Sequence, residues 1–340
     1  MKAAVGVRTI DWADGAIVII DQTALPLETR LVTLRTVEEL RDAIRRLAVR
    51  GAMALGVAGA LGIALAASRA REDRRDLDRA VDEAARVLVA ARPTAVNLAW
   101  GIGRAMAARS GGLEAILAEA LRVLEADVAT NRSIGKRGAD LLAGKRRILT
   151  HCNAGALAGA EWGTALAVVR VLHERGAIDE VFVSETRPLL QGARLTTWEL
   201  KDLGVPHRVI VDGAAASLIL GGRVDAVVVG ADRIAASGDV ANKVGTLSHA
   251  LAAARAGIPF IVAAPESTLD PATSSGDAIV IEERDESEVL EFAGQRIAPP
   301  GTRALNLAFD VTPADLVTAI VTERRVIRPA VDAPIASLDA

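Results

Sequence analysis

Asp232 and Cys152 have the settings expected of reacting groups. Asp232 follows the apolar run 224–229 and the pair Gly230-Ala231, so it falls just past the carboxyl end of a buried parallel strand, where open α/β sheets bind ligands. A carboxylate there can act as acid and base if an apolar surround raises its pKa, which the flanking valines could provide; it reads equally well as a helix N-cap. Cys152, the sole cysteine, follows a second apolar run, 147–150, and precedes a small-residue turn, Asn153 to Ala158, read as feeding a helix. A helix N-terminus favours a thiolate or donates to an oxyanion; the ordinary alternative is a small buried hydrophobe. His151 is set aside as a partner for the thiol, because neighbours on a strand point to opposite faces.

Anion-binding groups stand at similar breaks in the pattern. Arg50-Gly51-Ala52 and Arg92-Pro93-Thr94 each join a guanidinium to a helix start, a combination that grips phosphate, unless both are solvated arginines beside ordinary loops. Gln191-Gly192-Ala193-Arg194 and Asn242-Lys243-Val244-Gly245-Thr246 add donors after strand ends. Gly101-Ile102-Gly103 lacks the third glycine and the preceding strand of a dinucleotide loop, and neither a phosphate-binding P-loop nor a metal-ligand spacing occurs.

Holding these groups at one edge requires a parallel sheet. From residue 144 the sequence repeats strand, Gly- or Pro-marked turn and helix, the signature of such a sheet. Before that, residues 9–36 alternate in short apolar runs, two of them joined by Asp14-Gly15, a hairpin signal. Thr36-Val37-Glu38-Glu39 is a capping box, and residues 52–67, 77–90, 95–108 and 113–142 are Ala- and Leu-rich with helical spacing. The expected fold class is α/β: a small N-terminal β-hairpin plus helical domain (1–143), a C-terminal Rossmann-like parallel sheet flanked by helices (144–330), and a tail (331–340). A short strand is expected at 278–281 within an exposed connection, and a last helix starting at Asp310 with Pro313 in its first turn.

Composition narrows the partners. With 340 residues, 51% of them hydrophobic, the chain has ample material for a core, and a net charge of −3 with mixed signs gives no basic field for nucleic acid. A single cysteine excludes an intramolecular disulfide and a thiol metal cluster, and suits a reducing, cytoplasmic setting. The N-terminus lacks the features of a secretory signal. The uncharged run 51–68 approaches the length of a membrane span but is mostly Gly and Ala, so no membrane helix is expected.

Taken together, Val49-Arg50-Gly51-Ala52, Arg92-Pro93-Thr94-Ala95-Val96-Asn97-Leu98, Thr150-His151-Cys152-Asn153-Ala154-Gly155, Glu185-Thr186-Arg187-Pro188, Gly230-Ala231-Asp232-Arg233 and Asn242-Lys243-Val244-Gly245-Thr246 resemble the S-methyl-5-thioribose-1-phosphate isomerases of methionine salvage, over nearly the whole chain. The resemblance implies an aldose–ketose isomerase acting without metal or organic cofactor, a homodimer with a small sugar phosphate as its partner and neither nucleic acid nor membrane. It implies that Arg50, Gly51, Ala52, Arg92, Gln191, Asn242 and Lys243 hold the substrate, chiefly its phosphate, that Asp232 donates a proton and that Cys152 stabilises the transition state. The chain departs from the family pattern at Met53, where proline is usual, and at Ser184, where aspartate is usual. Gly213, Ser217 and Leu307 depart too, and these changes bear on the preferred 5-substituent. The alternatives are an isomerase of 5-deoxyribose 1-phosphate or ribose 1,5-bisphosphate, or a non-catalytic regulatory subunit like those of the translation-initiation nucleotide-exchange factor. A binding subunit would have no need of both Cys152 and Asp232.

Overall fold

A computed structural model describes residues 8–93 and 95–332, so Thr94 and the expected tail from residue 333 lie outside the described residues. The chain divides into two compact units: residues up to Ser133 together with Ala154–Ala167, and Ile134–Asn153 together with residues from Val168 onward. The sequence reading drew one boundary, after residue 143.

The first unit begins with an antiparallel meander of β1 (Ile10–Ala13), β2 (Ala16–Ile20) and β3 (Leu31–Leu34). Asp14 and Gly15 both adopt positive φ, 50° and 72°, the two-residue turn whose twist matches its strands. In α1 (Val37–Arg45) the Glu39 N–H donates to Thr36 Oγ1 at 3.1 Å and the Thr36 N–H donates back to Glu39 Oε2 at 3.1 Å, so the capping box forms. Next come α2 (Ala52–Glu72), α3 (Leu77–Val89), α4 (Val96–Ala107) and α5 (Gly112–Leu141), whose last turns from Ile134 belong to the second unit.

Helix α2 is long and apolar enough to cross a membrane, but 89% of its most apolar window is buried inside the protein, which makes it the core helix of this unit. Glycine lets α4 reach it: a Cβ on Gly101 would lie 1.9 Å from the Gly56 carbonyl oxygen, and one on Gly59 would lie 2.7 Å from that of Leu98. The helices therefore cross with backbones in contact. The crossing sits four to five residues in, about 6–8 Å along each axis from the helix starts that follow Arg50 and Arg92.

The second unit carries β4 (Arg147–Thr150), most of α6 (Ala165–Glu174), β5 (Glu180–Ser184), α7 (Thr197–Asp202), β6 (His207–Ile210), α8 (Ala215–Leu220), β7 (Ala226–Val229), β8 (Arg233–Ala235), β9 (Val240–Lys243), α9 (Thr246–Ala256), β10 (Phe260–Ala263), β11 (Leu269–Asp270), a small hairpin of β12 (Glu291–Phe292) and β13 (Gln295–Arg296), then β14 (Phe309–Thr312), β15 (Ala319–Val321) and β16 (Val326–Ile327). The main sheet has the order β16-β15-β10-β7-β4-β5-β6 and is parallel except for β16. Numbered as the chain meets them, its six parallel strands run 3-2-1-4-5-6, the doubly wound order whose strand direction of travel reverses between β4 and β7. A second sheet, β11-β8-β9-β14, hangs on the loop after β7.

Two local expectations fail. Residues 278–281 form no strand: the Ile279 N–H turns back to the Gly276 carbonyl, and Val280 is 88% exposed with no strand to pair with. Asp310 opens no helix either. It lies in β14, paired with Asn242 of β9, and its carboxylate accepts the Gly245 and Leu247 N–H groups at 2.6 and 3.2 Å, so it caps α9 across space; Pro313 leads only a single 3₁₀ turn, Ala314–Leu316.

Candidate functional site

In the second unit, Cys152, Gln191 and Asp232 follow strands at the carboxyl edge of the main sheet, whereas Asn242 and Lys243, expected after a strand end, are the last two residues of β9, paired with β14. Cys152 comes after β4 and Asp232 after β7, the two neighbouring strands that flank the reversal point. The β8–β9 ladder pairs Arg233 with Ala241, and the Asp232 N–H donates to the Ala241 carbonyl at 2.9 Å, which sets Asp232 beside Asn242 and Lys243. From the other side, His151 Nε2 donates to the Val244 carbonyl at 2.9 Å, and a Cβ on Gly245 would come 3.0 Å from the His151 ring. His151, next to Cys152, thus meets the Val244-Gly245 turn that follows Lys243, and the strand of Lys243 is hydrogen-bonded to Asp232. Asn242 Nδ2 donates to Thr246 Oγ1 at 3.0 Å, and that hydroxyl donates to the Lys243 carbonyl at 2.6 Å.

The electrostatics favour an anion. Lys243 is 6% exposed and has no carboxylate within 4.0 Å among the described residues; Asp310 and Glu288 act on it only from farther off. A buried cation without a close counter-charge is costly unless a ligand supplies one. Gln191, 8% exposed, holds its Oε1 with no hydrogen-bond partner among the described residues, a buried acceptor matched to a hydroxyl donor. Burial pushes His151 down to about 4 and His249 down to about 3, so both imidazoles are neutral; their rings meet edge to face at 4.8 Å. The Val244 carbonyl can only accept, which fixes the His151 proton on Nε2.

Two expectations about the reacting groups need correction. Cys152 is half-buried but lies at no helix N-terminus: the small-residue segment after it makes one 3₁₀ turn, Ala156–Ala158, and α6 starts only at Ala165. Asp232 is exposed, neither sheltered by the valines nor capping a helix. Val227, Val228 and Val229 are wholly buried, but Gly230-Ala231 carry the chain beyond them, and Asp232 leads directly into β8.

Sequence reasoning missed the residues that fix Cys152. Its φ is +61°, unusual for a residue with a side chain, and threonines hold it on both sides: its N–H donates to Thr186 Oγ1 at 2.9 Å, and its carbonyl accepts from Thr196 Oγ1 at 2.6 Å. Asp212 staples the Thr186 loop by accepting the Thr186 and Arg187 N–H groups at 2.8 and 2.7 Å. The only sequence signal was the position of Thr186 just past a strand.

The first unit holds the other four predicted residues. Arg50 Nε donates to Gln22 Oε1 at 3.0 Å, and Gln22 Nε2 donates to the Leu157 carbonyl at 2.7 Å, so a 3%-exposed glutamine, unforeseen in the sequence, aims the guanidinium. Gly51 has φ +97°, and a Cβ there would lie 2.6 Å from Ala158 Cα. Ala52 begins α2, whose N-cap Gly51 has no side chain to cap it and whose first turn has no acidic residue, a setting that suits an anion. Arg92 is half-buried just before α4.

The chain matches the model of the Initiation factor 2 subunit family over residues 48–329. It is 54% identical to a Nocardia farcinica protein named probable bifunctional methylthioribose-1-phosphate isomerase/methylthioribulose-1-phosphate dehydratase, covering 96% of this chain but only 60% of that one. It is 51% identical to a Moorella thermoacetica 5-deoxyribose 1-phosphate isomerase, covering 95% of each. The crystal structure of 5-methylthioribose 1-phosphate isomerase from Pyrococcus horikoshii superposes with a TM-score of 0.89 at 41% identity, covering 95% of this chain and 93% of that one. On these grounds the chain belongs to the Initiation factor 2 subunit family.

Proposed function

We propose that this chain is an aldose–ketose isomerase that converts 5-methylthioribose 1-phosphate to 5-methylthioribulose 1-phosphate in methionine salvage. The observation that carries the reading is the anion-seeking Lys243, held between the Asp232 and Cys152 loops at the reversal point of the sheet. The name borne by the Pyrococcus horikoshii structure, of similar length, supports it.

The phosphate on C1 locks the sugar in its ring form, so no free aldehyde exists to enolise. Asp232 protonates the ring oxygen as the C1–O bond breaks. Hydrogen then moves from C2 to C1, and the C2 hydroxyl releases its proton as it becomes the ketone, so the substrate gains and loses one proton overall. Cys152 stabilises the charge that develops along the way. Arg50, Gly51, Ala52, Arg92, Gln191, Asn242 and Lys243 hold the substrate, chiefly its phosphate. A homodimer working in the cytoplasm without added metal goes with this reading.

The Moorella relative favours a second reading, 5-deoxyribose 1-phosphate as substrate, which differs only at the 5-substituent. Initial rates of purified protein on the methylthio sugar, the deoxy sugar and ribose 1,5-bisphosphate decide between them. The methylthio sugar is expected to give the highest kcat/KM; turnover of none of the three would overturn the proposal.

A further inference from the structure

We infer that Thr186 and Thr196 are positioning residues that fix the thiol of Cys152 by clamping its peptide groups, and this rests on the role proposed above for Cys152. The main chain at Cys152 is in the left-handed region, φ +61°, where a residue with a Cβ stays only if its surroundings hold it. Two hydroxyls hold it. The Thr186 hydroxyl gives its own proton to the Ser184 carbonyl at 3.0 Å, which leaves its lone pairs facing the Cys152 N–H at 2.9 Å. The Thr196 hydroxyl gives its proton to the Cys152 carbonyl at 2.6 Å and accepts from Asn153 Nδ2 at 3.2 Å; that amide also donates to Glu199 Oε1 at 2.7 Å.

Each hydrogen-bond direction is thereby set. Thr186 can only accept from Cys152, and Thr196 can only donate to it. Both threonines are fully buried and reach the thiol through the backbone of Cys152, so neither touches the sugar on this account. Thr186 is itself held at φ +66° by the Asp212 carboxylate on its N–H. Gly192 makes room for the arrangement, since a Cβ there would come within 1.8 Å of the Ser184 carbonyl oxygen and 2.9 Å of Thr186 Oγ1. A hydroxyl is needed at each position, and the γ-methyl only fills space.

Valine keeps the shape of threonine and removes the hydroxyl; serine keeps the hydroxyl. Thr186→Val is therefore expected to lower kcat at least tenfold with KM within twofold of wild type, because a displaced thiol impairs the transition state while the phosphate contacts remain. Thr186→Ser is expected to stay within threefold in kcat. Thr196→Val and Thr196→Ser form an independent pair with the same expectation, in case one valine variant fails to fold. Cys152 is the only thiol in the chain, so its alkylation by iodoacetamide supplies a second readout that needs no substrate. Its rate should change at least threefold in the valine variants and less than that in the serine ones. Valine variants that keep kcat and alkylation rate, or serine variants that fall as far as valine, would overturn the inference. If wild type turns over no sugar phosphate, the isomerase reading fails, and the alkylation rates alone decide whether the clamp exists.

Discussion

Replacing Lys243 by methionine removes one charge and little else. The lysine backbone is fixed independently of its ammonium, with its carbonyl accepting from Thr246 Oγ1 and its strand paired to Phe309. Methionine keeps the unbranched stem in a site that is 6% exposed. A hydrogen bond to a charged group contributes about 1.5–3 kcal/mol, which corresponds to roughly 10- to 150-fold in kcat/KM. If the ammonium grips the ground state and the transition state alike, the loss falls in KM. Because Lys243 has no carboxylate within 4.0 Å among the described residues, removing it breaks no close ion pair, and thermal unfolding should stay within a few degrees of wild type. Steady-state kinetics on the sugar phosphate, with inorganic phosphate as a competitive inhibitor, read the effect: inhibition should weaken in parallel with KM. A kcat/KM within threefold of wild type, or unfolding lowered by more than ten degrees at unchanged kinetics, would refute the assignment of Lys243 as an anion ligand.

Other perturbations test the supporting structure. Gly51→Ala forces a Cβ into a conformation, φ 97° and ψ 144°, that costs an L-residue about 1–3 kcal/mol, and sets it 2.6 Å from Ala158 Cα; a lower Tm and a raised KM are expected, and wild-type values of both would contradict the close approach. Asp127 on α5 accepts the Ala160 N–H at 2.8 Å, and burial pushes its carboxyl up to about 6 from an ordinary 3.8. A carboxyl with a raised folded-state pKa keeps its proton better when folded, so it weakens the fold above pH 6 and stops doing so as the pH falls toward 4. Asp127→Asn should accordingly stabilise at pH 8 by roughly 1–3 kcal/mol and give almost nothing at pH 4, and equal shifts in Tm at both would dismiss the effect.

Much of the architecture was legible because it is local. Asp14-Gly15 carries its turn type, Thr36 and Glu39 satisfy each other within three residues, and the run ending at Val229 is too apolar and β-branched to lie outside a sheet. What the sequence hid depends on residues far apart in the chain. Asp310 looks like an N-cap and is one, but for the helix that starts at Thr246, and no local pattern tells which N–H groups a carboxylate will meet. Residues 278–281 have strand composition yet find no partner, since pairing is decided elsewhere. At the site, Cys152, Asp232 and Gln191 were marked by strand ends, a positional rule that survives ignorance of the partners; for Asn242 and Lys243 it missed by a few residues, since both lie in β9. Thr196 and Gln22 act only through contacts made on folding, and nothing in their own neighbourhoods announced them; Thr186 carried only its place just past a strand. The exposure of Asp232 was misread for the same reason: its valine neighbours are buried, but two small residues suffice to carry it out of their reach.

The central claim is that Asp232 is the acid that opens the phosphorylated ring. Purified wild-type protein and Asp232→Asn, each incubated with 5-methylthioribose 1-phosphate without added metal and followed by phosphorus NMR, test it directly. Wild type is expected to convert the aldose phosphate to the ketose phosphate, and the variant to bind the substrate with little change in affinity yet turn it over at least a thousandfold more slowly, within the range of about 10²–10⁴ that a lost general acid costs. An Asp232→Asn enzyme that isomerises the sugar at the wild-type rate would contradict the account.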